Sequence, residues 1–190
     1  NEAAKLAILP QIAAGEKIVA VGFQGRHPGM SLDSTELVVS AGRMKGTAYH
    51  VYPALCADDF LVAAKANGKL GIYRISAAAP GITLVEHKRA DGSIQADVTF
   101  DAVNVYAADL LLEGDEALAA LAAAFDVATV IHSAMLVGVM SEALDITLRY
   151  MNQRVQFGKV IGTFQALQHR AADLFIHKEL AVAVTADAVR

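Results

Sequence analysis

After Leu110-Leu111-Leu112-Glu113-Gly114 the sequence changes character. From Asp115 to Gln153 it holds no proline and a single glycine, Gly138, while alanine, leucine and methionine dominate. These are strong helix formers, and Val130, Ala134, Val137, Ser141, Leu144 and Leu148 recur at spacings of three and four, which draws a stripe along one helix face. A second helix is expected from about Phe164 to the end, with Leu167, Ala171, Leu174 and Lys178 in line. Before the break, from Lys17 to about Asp109, short apolar runs such as Ile18-Val19-Ala20-Val21-Gly22 and Asp59-Phe60-Leu61-Val62-Ala63-Ala64 alternate with Gly, Pro and turn pairs. Asn67-Gly68 and Asp91-Gly92 are candidate hairpin turns, because Asn or Asp followed by Gly tolerates the positive φ such turns need. The expected class is α+β: an antiparallel β-barrel or sandwich followed by part of an α-helical bundle, with an N-terminal helical remnant. The boundaries fall at residues 1–15, 16–113 and 114–190. The first helix is expected to stop near Pro10. Asn1 is not an initiator Met and Arg190 breaks off within a helical pattern, so a piece of a longer chain is expected.

Composition narrows the function. Of 190 residues, 55% are hydrophobic and 19% charged, which excludes a disordered chain and implies apolar surface buried in a core or against other subunits. A homo- or hetero-oligomer is expected. The net charge of −4 and the lack of any basic block argue against a nucleic-acid partner. Cys56 stands alone, which favours a reducing, cytoplasmic setting. Leu118 to Met140 is the most membrane-like run, but Asp126 and His132 interrupt it and its charge-free part is short of a span, so a buried bundle helix is expected and no membrane partner. No secretion signal is visible in the opening residues.

The passage RYMNQRVQFGKVIGTFQ, Arg149 to Gln165, puts cations, amides and Phe-Gly between the two helices. One account is an αα corner, with Gly158 ending the first helix and Arg154 neutralising its negative end. The other is a nucleotide site, with the Arg154 fork on phosphates, the Phe157 face on a ring and the Gln165 amide on ribose or base. Gly22-Phe23-Gln24-Gly25-Arg26-His27-Pro28-Gly29 lacks both the dinucleotide fingerprint and the P-loop spacing, and is expected to be a surface turn, with a ligand-facing loop as the alternative. The six histidines show no metal-ligand spacing. His27 and Asp33 could form a dyad on paper, without any nucleophile motif beside it. Asp126, in the middle of an apolar helix, is expected to reach water or a ligand, because a buried lone charge is costly.

Taken together, Tyr150-x-x-x-Arg154-x-x-Phe157-Gly158-x-x-Ile161-x-x-Phe164-Gln165-x-x-Gln168 resembles the second signature of the acyl-CoA dehydrogenase family. Val98 to Val105 resembles the strand leading out of that family's β domain, and Ala57-Asp58 with Leu61-Val62 resembles another of its strands. The resemblance implies a flavoprotein that removes a proton from Cα and a hydride from Cβ of an acyl-CoA, with FAD as acceptor, usually in a tetramer. It implies FAD contacts for Arg154, Phe157 and Gln165, typically to the flavin of the neighbouring subunit, and a contact between Asp126 and the CoA chain. Gly22 to Ser31 replaces the family's first signature, and His50-Val51-Tyr52 replaces a flavin-facing triplet. Thr129 takes the place of an Arg, and Ala128 stands where a subset carries its catalytic glutamate, so no catalytic residue is assigned. These departures resemble the degenerate subunit of heteromeric steroid-type enzymes. A member with an unusual pocket, and a non-catalytic module of the same fold, are the alternatives.

Overall fold

The computed structural model describes residues 2–27, 32 and 34–190, in two compact units, residues 1–122 and 123–190. The first unit opens with α1, Glu2–Ala13. Contrary to expectation, α1 passes through Pro10. The proline forfeits only its own bond, the Ala14 N–H closes the next turn on the Pro10 carbonyl at 2.9 Å, and the stop falls at Gly15, whose φ is +72°.

The strands are β1 (Val19–Gly22), β2 (Val38–Ser40), β3 (Arg43–Val51), β4 (Asp59–Ala66), β5 (Lys69–Ser76), β6 (Ile82–Lys88), β7 (Ile94–Asn104) and β8 (Leu110–Glu113). They form one sheet in the order β6-β7-β3-β2-β4-β5-β8, with β1 paired to β4. The α+β class holds, but the sheet is mixed and its path is open. Both β1 and β2 run parallel to β4, at Val19–Gly22 against Asp59–Val62 and at Val38–Val39 against Lys65–Ala66. A bridge from Val21 to Tyr52 ties β1 to the end of β3, so β1 and β2 fill opposite ends of the gap between β3 and β4. Turn signals speak only for consecutive strands, and these pairings are not consecutive.

The Asn67-Gly68 turn joins β4 to β5 with φ of +50° and +79°. Between β6 and β7, the Arg89 N–H donates to the Ser93 carbonyl at 2.9 Å and Gly92 takes φ +84°. Ala41-Gly42 makes a further two-residue turn, which the sequence did not announce because Ala is not a favoured residue at positive φ.

The core lies on one side of this sheet. Phe60 and Phe100 meet edge to face at 6.2 Å, among buried Leu37, Met44, Val62, Val98 and Val103. In β7 the buried positions are Ala96, Val98 and Phe100, then Val103; Ala102, at φ +55°, shifts the alternation by one residue and keeps Val103 inward. Buried Asp59 accepts from Lys17 Nζ at 2.8 Å and faces Arg74 Nε at 3.5 Å, which joins the start of β1 to β4 and β5. A smaller cluster packs Ala63 and Leu70 against Leu121, in the first turns of α2 (Asp115–Gln153).

The second unit holds the rest of α2, the two-residue strands β9 (Val155–Gln156) and β10 (Lys159–Val160), a 3-10 turn at Ile161–Thr163, and α3 (Gln165–Ala188). Along the expected stripe Leu144 is buried, Val130, Val137, Ser141 and Leu148 are half-buried, and Ala134 is exposed. The expectation of a buried helix is corrected. Val127, Ile131, Met135 and Val139 of α2 are each more than half exposed. By length and composition alone α2 could cross a membrane, since the limit on its charge-free run overlooked that a 39-residue helix can carry a few charges and still hold an apolar window. In α3, Leu167, Ala171 and Lys178 are half-buried but Leu174 is 51% exposed.

Candidate functional site

The α2–α3 corner is built around Arg154. Its N–H donates to the Tyr150 carbonyl at 2.9 Å, and its carbonyl accepts from Ile161 N–H at 2.8 Å. Between these two bonds β9 and β10 pair antiparallel, Val155 with Val160 and Gln156 with Lys159. Phe157 and Gly158 form the turn, with φ of +54° and +76°. This corrects the account in which Gly158 ends α2: the helix ends at Gln153, and Gly158 sits at the tip of a hairpin beyond it.

The hairpin holds Phe157 out at 90% exposure. Its ring meets that of Phe164 at 6.2 Å and 77°, and Lys159 Nζ lies 4.9 Å from the Phe164 centroid. The following 3-10 turn is fixed by Thr163 Oγ1 donating to the Val160 carbonyl at 2.7 Å and by Gln168 Nε2 donating to the Gly162 carbonyl at 2.9 Å. Gly162 packs on the last turn of α2 so closely that a Cβ there would stand 2.9 Å from the Met151 carbonyl oxygen. Gln165 is the first residue of α3. Among the described residues, neither the Arg154 guanidinium nor the Gln165 amide makes an ion pair or a hydrogen bond.

One corner therefore carries Arg154, Phe157 and Gln165: a forked cation, an aromatic face and an amide, all exposed. Asp126 does not join them. It lies on the exposed surface of α2, about 40 Å from Arg154 at a rise of roughly 1.5 Å per residue. Thr129, nearby, turns its hydroxyl back onto the Phe125 carbonyl at 2.8 Å.

The glycine-containing segment is not a simple surface turn. Gly22 and Gly25 are buried; a Cβ on Gly25 would stand 2.5 Å from the Ser34 carbonyl oxygen, and one on Gly22 would stand 3.0 Å from Ala48 Cβ. The Gln24 carbonyl accepts from Tyr49 N–H at 3.0 Å, and Arg26 N–H donates to Glu36 Oε1 at 2.7 Å. Pro28, Gly29, Met30, Ser31 and Asp33, and with Asp33 the paper dyad with His27, lie outside the described residues.

His50 takes φ +58° at a register break in β3. Its N–H donates to Asp97 Oδ1 at 3.1 Å, its Nδ1 is hydrogen-bonded to Gln95 Nε2 at 2.9 Å, and His87 Nε2 meets Asp97 Oδ2 at 2.9 Å. Sequence reasoning missed this quartet, because only the β6–β7–β3 pairing brings the four residues together. It also missed the contacts that Phe164 makes with Phe157 and with Lys159, for which the only advance signal was a second Phe and a Lys close to the Phe-Gly pair.

Residues 117–190 match the model of a family described as Acyl-CoA dehydrogenase, C-terminal domain. The chain is 35% identical over 124 residues to the acyl-CoA dehydrogenase IpdE2 of Mycolicibacterium smegmatis, a match that covers 65% of this chain and 38% of that protein. Among solved structures it is similar to a variant of the Tcur3481-Tcur3483 steroid ACAD, with a TM-score of 0.80 and 29% identity over 98% of this chain and 50% of that one. It also shares the fold of the ChsE4-ChsE5 complex from Mycobacterium tuberculosis, with a TM-score of 0.77 and 24% identity over 95% of this chain and 48% of that one. The fold and the carboxy-terminal sequence thus bear out the resemblance to the acyl-CoA dehydrogenase family. The chain spans about half the length, or less, of the curated relatives it matches.

Proposed function

We propose that this chain is a subunit of an FAD-dependent acyl-CoA dehydrogenase, and that its α2–α3 corner holds part of the FAD of a neighbouring subunit, as the non-catalytic partner in a heteromer. The observation that carries the reading is Phe157, 90% exposed at a left-handed turn in the same corner as an Arg154 guanidinium and a Gln165 amide that engage no partner among the described residues. A non-glycine residue at positive φ costs stability and a ring held 90% exposed buries little in return, so the arrangement suits binding better than folding. The donor set fits a dinucleotide. Arg154 can grip diphosphate oxygens in bidentate fashion, Phe157 can offer its face to a ring, and Gln165 can both donate to and accept from ribose or base.

When bound, FAD supplies the hydride acceptor for α,β-dehydrogenation of an acyl-CoA thioester. Asp126, about 40 Å along α2, would contact the CoA chain at a different site from the one Arg154 serves. The partner role is supported by the first unit. Its glycine-containing segment is closed by Ser34 and Glu36, and His50 is tied to Gln95 and Asp97, where family members face their own flavin. The likeness to a steroid ACAD built from a named pair supports a heteromer acting on a bulky thioester. Cys56, exposed and free, fits a reducing, cytoplasmic setting.

The test is to purify the protein alone and with co-expressed neighbours, and to record flavin absorbance. A colourless chain alone and a yellow assembly with a partner is the expected result. One FAD per chain in the protein purified alone sinks the partner role, and no flavin under any condition leaves a non-catalytic module of this fold.

A further inference from the structure

We infer that Lys159 and Phe164 are positioning residues that set the Phe157 ring in place before any ligand arrives. The inference rests on the flavin role proposed for the corner. Phe157 is joined to the chain at a two-residue turn and is 90% exposed, so nothing in its own backbone stops the ring from swinging among rotamers. The Phe164 ring supplies the stop, at 6.2 Å and 77°, within the range of edge-to-face aromatic pairs. Phe164 is itself anchored: it is half-buried, and its carbonyl accepts from Leu167 N–H at 3.0 Å and Gln168 N–H at 3.1 Å in the first turn of α3. Lys159 completes the stack from β10. Its ammonium lies 4.9 Å from the Phe164 centroid, and among the described residues it makes no ion pair with a carboxylate. A ring fixed in advance loses less conformational entropy on binding, so the stack raises affinity without touching the ligand.

A direct role of Lys159 on a phosphate is the competing account, and a double-mutant cycle separates the two. FAD affinity is measured by flavin fluorescence on the assembly that retains flavin. Phe164→Leu is expected to weaken binding about fivefold, and Lys159→Met about threefold. If Lys159 acts through Phe164, then Lys159→Met adds nothing in the Phe164→Leu background, while Phe164→Tyr and Lys159→Arg stay within about twofold of the parent. An undiminished threefold loss from Lys159→Met in that background overturns the inference. Far-UV circular dichroism checks the fold. Should Phe164→Leu not fold, Lys159→Met is read alone by hydrogen exchange at the Phe157 and Gly158 amides of the flavin-free chain, where faster exchange is expected and unchanged exchange overturns the stack. Arg154→Ala and Phe157→Leu run in parallel. If both keep full flavin affinity, the corner reading itself fails; if both lose flavin while the Phe164 and Lys159 variants are neutral, only the stack fails.

Discussion

At Arg154 the backbone and the side chain do separate jobs. The two hydrogen bonds that lock the corner, from Arg154 N–H to Tyr150 and from Ile161 N–H to Arg154, belong to the main chain and survive truncation to alanine. Arg154→Ala therefore removes a guanidinium and little else. FAD retention in the assembly is expected to fall by more than about tenfold, the scale of a charge-assisted hydrogen bond, with the thermal midpoint unchanged. Lys159→Ala is expected to cost only about threefold. Equal losses in the two variants would falsify a specific phosphate role for Arg154. Asp59 is the opposite case, a charge that serves the fold alone. Its carboxylate is buried between Lys17 at 2.8 Å and Arg74 at 3.5 Å, while those partners keep 22% and 38% of their side-chain surface exposed. Asp59→Asn is expected to lower stability by about 2 kcal/mol, below the range for a fully buried pair because both cations can recover water. Urea unfolding gives the number, and a loss under about 0.5 kcal/mol marks the pair as no more than a surface one.

Elements differ in how far the sequence announced them. The bounds of α2 follow from composition alone, since a proline-free run rich in helix formers has few other states open to it. The β4–β5 hairpin was equally legible, because Asn67-Gly68 allows one tight turn and little else. The parallel pairings of β1 and β2 with β4 were not, since a strand of three or four residues says nothing about a partner far along the chain. The corner was legible in its residue types but not in its shape. Arg154, Phe157 and Gln165 were named from residue type and resemblance, yet the glycine beside Phe157 read as a helix stop when it is half of a hairpin turn. The role of Gly162 was invisible as well, because it depends on contact with α2 and not on a special φ. A methyl group there would meet the Met151 carbonyl oxygen at 2.9 Å and Asn152 Oδ1 at 3.2 Å. Gly162→Ala must push the 3-10 turn away from α2, at a cost of about 1 to 3 kcal/mol. Because the same turn leads into Phe164 and Gln165, flavin retention is expected to fall with stability. Thermal unfolding and flavin content of the same preparation check both, and an unshifted midpoint with full flavin refutes the close packing.

For the molecule as a whole the telling surface is α2. Its inner line through half-buried Val130 and Val137 and buried Leu144 is one flank; on another, Val127, Ile131, Met135 and Val139 follow at intervals of four, each 55% to 67% exposed. Four apolar side chains in a continuous exposed row cost solubility and return nothing to a lone chain, so the row fits a surface that other subunits cover. The paired Tcur3481-Tcur3483 enzyme that the chain is similar to argues the same way, and the flavin role proposed for the corner requires such a contact. Replacing Ile131 and Met135 together by Glu separates assembly from folding. Both positions are exposed on a helix, so far-UV circular dichroism should be unchanged and unfolding should shift by no more than about 0.5 kcal/mol per site. Two added carboxylates within one subunit contact, by contrast, must be desolvated without partners, which an interface does not tolerate. Light scattering during size-exclusion chromatography is expected to show a smaller assembly, and flavin is expected to be lost with it although Arg154, Phe157 and Gln165 are untouched. An assembly of unchanged mass with full flavin would remove α2 from the contact and leave the corner to reach its nucleotide by another face.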